Sequence, residues 1–266
     1  MQMYLKSITV GYLWYITLVL STTYVTMFYS KQYKWSAVLF NFNCLFRAIF
    51  PRIDALRLCF IIHPFSDIYY GRIAATFGEI AFVWSVCCYI DSNIRFYKRR
   101  LPSALNQLLS CFKYGSYYIL LHQVCIAQGL CWSAVILQDN TYHVLEEQRW
   151  HHMSFYLGVS SILFLVFSWI SDCYKLVGLH LKTIVVSFIF CLYISQYDIP
   201  MYQARIIQKD EQKIRTFSLK CQYFTKDIQH YGGSAILFLG YFILGPIVLH
   251  KMHQYTDYIK SISFPE

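Results

Sequence analysis

His143, Glu147 and His151 recur at four-residue intervals in the segment Asn140 to His152, NTYHVLEEQRWHH. If that segment is helical, all three share one face, with Glu146 beside them three residues after His143. Two imidazoles and a carboxylate are the ligand types that hold zinc or non-haem iron. The same groups, Glu146 included, could instead work as an acid–base pair at a membrane surface. Their spacing is neither HExxH nor the ExxH of di-iron bundles. The plainer alternative is a solvated turn, polar because it is wet.

A second set of ionisable residues interrupts long apolar runs: Arg47, Glu79 and His122. A charged group at the centre of a membrane helix costs about 2.5 to 3.5 kcal/mol on insertion scales, so it usually faces a partner, a cavity or a substrate. Glu79 and His122, joined across a bundle and fed by Asn43 and Arg47, would make a proton relay or a shared metal site. Otherwise they are interhelical hydrogen-bonding groups that fix packing, typically worth ~0.6 kcal/mol each. Gln123 and Gln128 follow His122, and Arg72 precedes Glu79 by seven residues on roughly the same face. Arg47, Arg52 and Arg57 are the candidates for holding an anionic headgroup. His250 and His253, in HKMH, could bind a metal or merely favour a helix end. Lys251 lies beyond the last apolar run, which argues against a retinal-type Schiff base. Glycine-rich nucleotide loops, selectivity-filter strings, desaturase histidine boxes and a G-x-S-x-G elbow are absent from the sequence.

The elements that would position these groups are membrane helices. The 266 residues are 57% hydrophobic and only 14% charged, against roughly 25% charged in a soluble domain. The 24 tyrosines and 21 phenylalanines suit interfacial belts, where a ring sits among headgroups with its polar tip wet. A net charge of +9 could suggest nucleic acid. Yet Arg95, Lys98, Arg99 and Arg100 cluster beside a span, where anionic lipid headgroups are the natural counter-charge. The first apolar run is too long for a signal-peptide core and no small-residue cleavage site follows it, so it reads as a retained helix. Cys44, Cys87, Cys88, Cys125, Cys131 and Cys191 lie in apolar segments and no CxxC occurs. Structural thiols, rather than disulfides or metal ligands, are expected.

The expected fold is all-α: a polytopic integral membrane helical bundle of about seven transmembrane helices with interfacial helices, forming one domain over 1–266. With about 20 apolar residues per crossing, the spans fall near 8–28, 35–50, 71–90, 114–137, 153–171, 181–197 and 231–249, with an extramembrane helical segment at 198–230. Pro51 stops or kinks the second. The basic stretch after it reads as an interfacial helix, or else as a re-entrant broken one. Gly240, Gly245 and Pro246 suggest close contacts and a kink in the last. The Arg95 to Arg100 cluster argues for N-terminus out and C-terminus in, with Arg47 to Arg72 pulling the other way.

Three function classes fit. A membrane-embedded enzyme acting on a lipid or hydrophobic substrate would use His143, Glu147 and His151 as metal ligands, with Glu79, His122 and Glu146 as acid and base. A proton- or ion-coupled transporter or channel would use Glu79 and His122 as its titrating path, although no inverted repeat is visible. An accessory or scaffold subunit would spend these groups on neighbours in a larger membrane complex.

Overall fold

The computed structural model describes residues 2–29, 34–53, 58–130, 132, 141–200, 203, 221 and 223–263. The fold is all-α, as expected. Its long helices are α1 (Gln2–Tyr29), α2 (Trp35–Ile49), α3 (Ile68–Lys98), α4 (Asn106–Leu121), α5 (Thr141–Ile170), α6 (Tyr174–Tyr193) and α7 (Gly232–Ser263). Leu13 and Leu20 of α1, Ile189 and Leu192 of α6 and Ile236 of α7 point outward. A water-soluble bundle would turn such residues inward; a helix apolar all round belongs in a core or a bilayer.

Five stretches are long and apolar enough to cross a membrane: Ser7–Tyr29, Tyr69–Lys98, Met153–Ile170, Leu176–Gln196 and Ile228–Ser261. The helix α2 has 15 residues, about 22 Å at 1.5 Å per residue, short of a ~30 Å hydrocarbon core. Several helices outrun the apolar runs that announce them. α3 extends to Lys98 because Asp91 takes an ion pair from Arg95 at 2.5 Å, one turn on, and another from Lys113 of α4 at 3.7 Å. α7 extends to Ser263, so His250, Lys251 and His253 lie within a helix rather than past its end. Residues 141–152 are helical, not a turn.

Close packing joins α2 to α3 at Gly78, where a Cβ would come within 2.4 Å of the Asn43 Cβ. A first core gathers Trp14 and Leu18 of α1, Phe40 and Cys44 of α2, and Phe238 and Phe242 of α7. A second gathers Tyr89 and Ile94 of α3, Leu157 and Phe164 of α5, Leu176 of α6 and Met252 of α7.

The stretch after Pro51 is neither an interfacial helix nor a broken one among the described residues. It contributes β1 (Arg52–Ile53) and β2 (Leu58–Cys59) to a three-stranded sheet completed by β3 (Tyr223–Phe224), within the segment expected to be helical. β1 and β2 are antiparallel, Arg52 opposite Cys59, and β2 and β3 are parallel, Leu58 opposite Tyr223. The cause is covalent as well as local: Cys59 and Cys221 form a disulfide across 162 residues of sequence. This corrects the expectation of thiols alone. Among the described residues Cys44, Cys87, Cys88, Cys111, Cys125, Cys173 and Cys191 take part in no disulfide. The start of α1 is fastened to the same end, where the Ser7 hydroxyl donates to Asp227 and Lys226 reaches Tyr12. The Asp227 carboxyl, which also accepts from the Gln229 amide at 2.9 Å, is held below its ordinary range chiefly by the Ser7 hydroxyl.

Candidate functional site

Glu79 sits eleven residues into α3, about 16 Å along the helix, and its side chain is buried. Two amides meet its carboxylate. Gln128 Nε2 donates to Oε2 at 2.7 Å, and Gln123 Nε2 lies 3.5 Å from the same oxygen. Thr76, one turn earlier on α3, donates its hydroxyl to Gln128 Oε1 at 2.9 Å and accepts from the Trp132 indole at 3.1 Å. Each member therefore fixes the next: Trp132 orients Thr76, Thr76 orients the Gln128 amide, and that amide presents its donor to the carboxylate.

Local backbone geometry makes the convergence possible. Residues five apart on an α-helix diverge by about 140°, which would leave only one glutamine facing α3. Here His122–Ala127 is a π-turn continuing α4, and the Gln128 amide bonds back to the Gln123 carbonyl, five residues earlier. The extra residue per turn brings Gln123 and Gln128 onto one side. Single π-turns are frequent at functional sites. A second one, Ile194–Asp198, continues α6. Ile194 packs with Val83, Cys87 and Met153, one turn below Glu79.

A cavity of about 340 Å³ is lined among others by Phe82 of α3, Ser154 and Leu157 of α5, Thr183 and Ser187 of α6 and Gly240 of α7, with none of Glu79, Gln123 and Gln128 in its wall. Phe82 follows Glu79 by three residues, so the ring and the carboxylate occupy neighbouring positions on α3. On α6 and α7 its lining includes Ile189, Ile236 and Leu244, which are also exposed on the outer face of the bundle. The lining is almost wholly apolar. Among the described residues the buried Ser187 hydroxyl has no hydrogen-bond partner, and a Cβ on Gly240 would meet nothing within 4 Å.

The other sequence candidates are distributed as follows. The ring of His122 stacks on Tyr118 at 5.8 Å, while its neighbour Gln123 turns to Glu79. The Arg47 guanidinium lies 5.8 Å from the Phe242 ring. Arg52 is buried and donates to the Asp67 carbonyl at 2.5 Å and the Ser66 carbonyl at 3.4 Å, bracing the turn that leads into α3. Arg57 lies outside the described residues. His143, Glu146, Glu147 and His151 fall on the helical backbone of α5, in the turns preceding Met153, but their side chains lie outside the described residues. No group of three or more His, Cys, Asp or Glu able to hold a metal occurs among the described residues. The His250 ring packs at a tilt against Tyr29, centroids 4.5 Å apart, whereas His253 turns inward, with Nε2 3.2 Å from Ser36 Oγ and 3.4 Å from Ser85 Oγ. The two histidines of HKMH thus serve different neighbours.

One polar centre escapes sequence reading altogether. His180 of α6 is fully buried, with Nδ1 2.6 Å from the Tyr89 hydroxyl and Nε2 3.3 Å from the Tyr97 hydroxyl. Tyr97 also reaches Ser168 Oγ at 2.6 Å. Tyr255 donates to Asn93 at 2.9 Å, and Asn93 donates to the Tyr89 carbonyl at 2.8 Å. The signal available was the spacing of Tyr89, Asn93 and Tyr97, one polar or aromatic hydroxyl group per turn of α3. Compared with known proteins, the chain matches no family model, no curated protein and no solved structure.

Proposed function

We propose that the chain is a multi-pass integral membrane protein that admits a lipid, or a comparably long apolar molecule, sideways between α6 and α7, and acts on it as a membrane-embedded enzyme. The observation carrying this reading is the cavity itself: apolar, lined on α6 and α7 by outward-facing Ile189, Ile236 and Leu244, and on α3 by Phe82, three residues after Glu79. Ligand sites are mostly apolar with a few placed polar groups. Here Ser154, Thr183 and Ser187 are those groups.

In this reading the chain's own residues divide the work. Phe82, Leu157 and Gly240 accept the apolar part of the molecule. Gln123 and Gln128 hold the Glu79 carboxylate in one orientation, and Glu79 exchanges a proton with the polar end. His143, Glu147 and His151, at four-residue spacing on the helix α5, would hold zinc or iron, which supplies Lewis-acid chemistry when bound. Glu146 and His122 would assist as acid or base, and Arg47 and Arg57 would favour an anionic headgroup, whereas Arg52 is spent on the turn before α3.

Two observations support an orientation with the sheet end outside the cytosol. A disulfide persists in an oxidising compartment, and Cys59–Cys221 marks the sheet end. Arg95, Lys98, Arg99 and Arg100 lie at the far end of α3, where the positive-inside rule places the cytosol.

Photoactivatable fatty-acid or phospholipid probes in bilayer discs test the reading. Crosslinks are expected to concentrate in 183–190 and 236–248. Crosslinks spread evenly over outward faces, α1 included, would contradict it.

A further inference from the structure

A second cavity, of about 370 Å³, lies at the opposite end of the bundle from the sheet, lined by Phe96, Arg100, Asp172, Tyr174, Leu176 and Tyr258 among others. It differs in kind from the apolar one, because two opposite charges share its wall. The Arg100 guanidinium lies 3.7 Å from the centroid of the Phe96 ring, a cation–π contact that fixes the plane of the fork. The Asp172 carboxylate accepts from the Tyr174 hydroxyl at 2.9 Å. Among the described residues no ion pair joins Arg100 to Asp172. A cation and an anion thus face one space without neutralising each other.

Asp172 holds its place in an uncommon backbone conformation. Its φ is +54°, in the left-handed region where helices usually end on glycine. It closes α5: the Cys173 amide bonds back to the Ser168 carbonyl at 2.8 Å. Glycine would suit this backbone at least as well, yet the residue present carries a carboxylate into the cavity.

Depth identifies the class of occupant. The apolar stretches of α3, α5 and α6 end or begin at Lys98, Ile170 and Leu176, each within four residues of Arg100 or Asp172. Trp169, Ile170 and Tyr174 are exposed at the same level, the placement of an interfacial belt. The cavity therefore lies at headgroup level.

We propose that this cavity binds the headgroup of a zwitterionic phospholipid carrying a primary ammonium, as in phosphatidylethanolamine. Arg100 takes the phosphate through its planar donors. Asp172 takes the ammonium, and the Tyr174 and Tyr258 rings flank it. An anionic headgroup without an amine would meet the Asp172 carboxylate unfavourably, which gives selectivity as well as affinity.

The test titrates delipidated full-length protein in detergent with dihexanoyl-phosphatidylethanolamine, dihexanoyl-phosphatidylglycerol and soluble phosphoethanolamine, reading bound ligand by native mass spectrometry. Wild type is expected to retain the ethanolamine lipid about tenfold better than the glycerol lipid. Asp172→Asn, which tolerates the same φ, should erase that preference with an unchanged melting temperature. Arg100→Gln should weaken both lipids about tenfold. Equal retention of both lipids by wild type, or an undiminished preference in Asp172→Asn, would overturn the proposal. Soluble phosphoethanolamine binding as tightly as its lipid would overturn the assignment to a membrane lipid. Because none of these residues lines the apolar cavity, either site can fail without the other.

Discussion

Two clusters of polar side chains are buried among the apolar helices, and they are built on opposite plans. Around His180 no member is a carboxylate or a basic chain, and each finds its partner within the cluster. Tyr89 can donate to Nδ1, Nε2–H to Tyr97, and Tyr97 onward to Ser168, while Tyr255 and Asn93 close the other side. Aromatic rings seal it: Phe164 stacks on Tyr97 at 5.9 Å. Around Glu79 the central group is ionisable, its donors come from a π-turn, and the next aromatic on the helix, Phe82, lines a cavity. A closed network rigidifies a core. A carboxylate held by two amides, one turn from a cavity-lining ring, is what the proposed reading uses for proton exchange.

The largest expected effect separates the two directly. His180→Ala strands the Tyr89 and Tyr97 hydroxyls and leaves a void, a combined loss of about 2–5 kcal/mol, measurable by unfolding in detergent. Glu79→Gln preserves shape, so the bundle should lose less than about 1 kcal/mol. Equal losses in the two variants would break the comparison. The converse holds for chemistry: Glu79→Gln should lower lipid turnover by about 100-fold, read against a stable fold. A third measurement addresses the turns of α5 preceding Met153. Metal content per chain after chelator-free purification should be near one zinc or iron, and should vanish in the His143→Ala/Glu147→Ala double variant. Metal-free wild type would leave Glu79 without that partner. The smallest effect belongs to the rim. The folded-state value of Asp227 lies below its ordinary 3.8, so its contribution is complete above that pH and is lost as pH falls through the lowered value. Asp227→Asn should remove this acid-side loss from a pH series of melting temperatures.

Much of this architecture is legible in the sequence. A carboxylate in an apolar run marks Glu79, and Gln123 and Gln128 stand out after His122. The π-turn that aligns the two amides has no compositional signature, since it depends on one residue slipping in the hydrogen-bond ladder of α4. His180 precedes Leu181 at the edge of an apolar run and reads as a loop residue, although α6 begins at Tyr174. The Cys59–Cys221 bond links positions 162 residues apart, and pairing over such a distance is not deducible from spacing. Helix ends were underestimated where polar contacts between helices, such as Asn93 with Tyr255, sustain a helix past its apolar stretch. Side chains that share a stripe on paper, His250 and His253, part company because Ser36 and Ser85 draw only one inward.

The most direct measurement is the lipid content of purified protein by mass spectrometry, wild type beside Gly240→Leu. Gly240 lines the cavity and a Cβ there would meet nothing within 4 Å among the described residues, so a leucine at this position narrows the cavity. Wild type is expected to carry about one tightly held lipid or long apolar molecule per chain, and Gly240→Leu to lose it while melting no lower than wild type. The same retained molecule in both proteins, or none in either, would contradict a lipid site between α6 and α7.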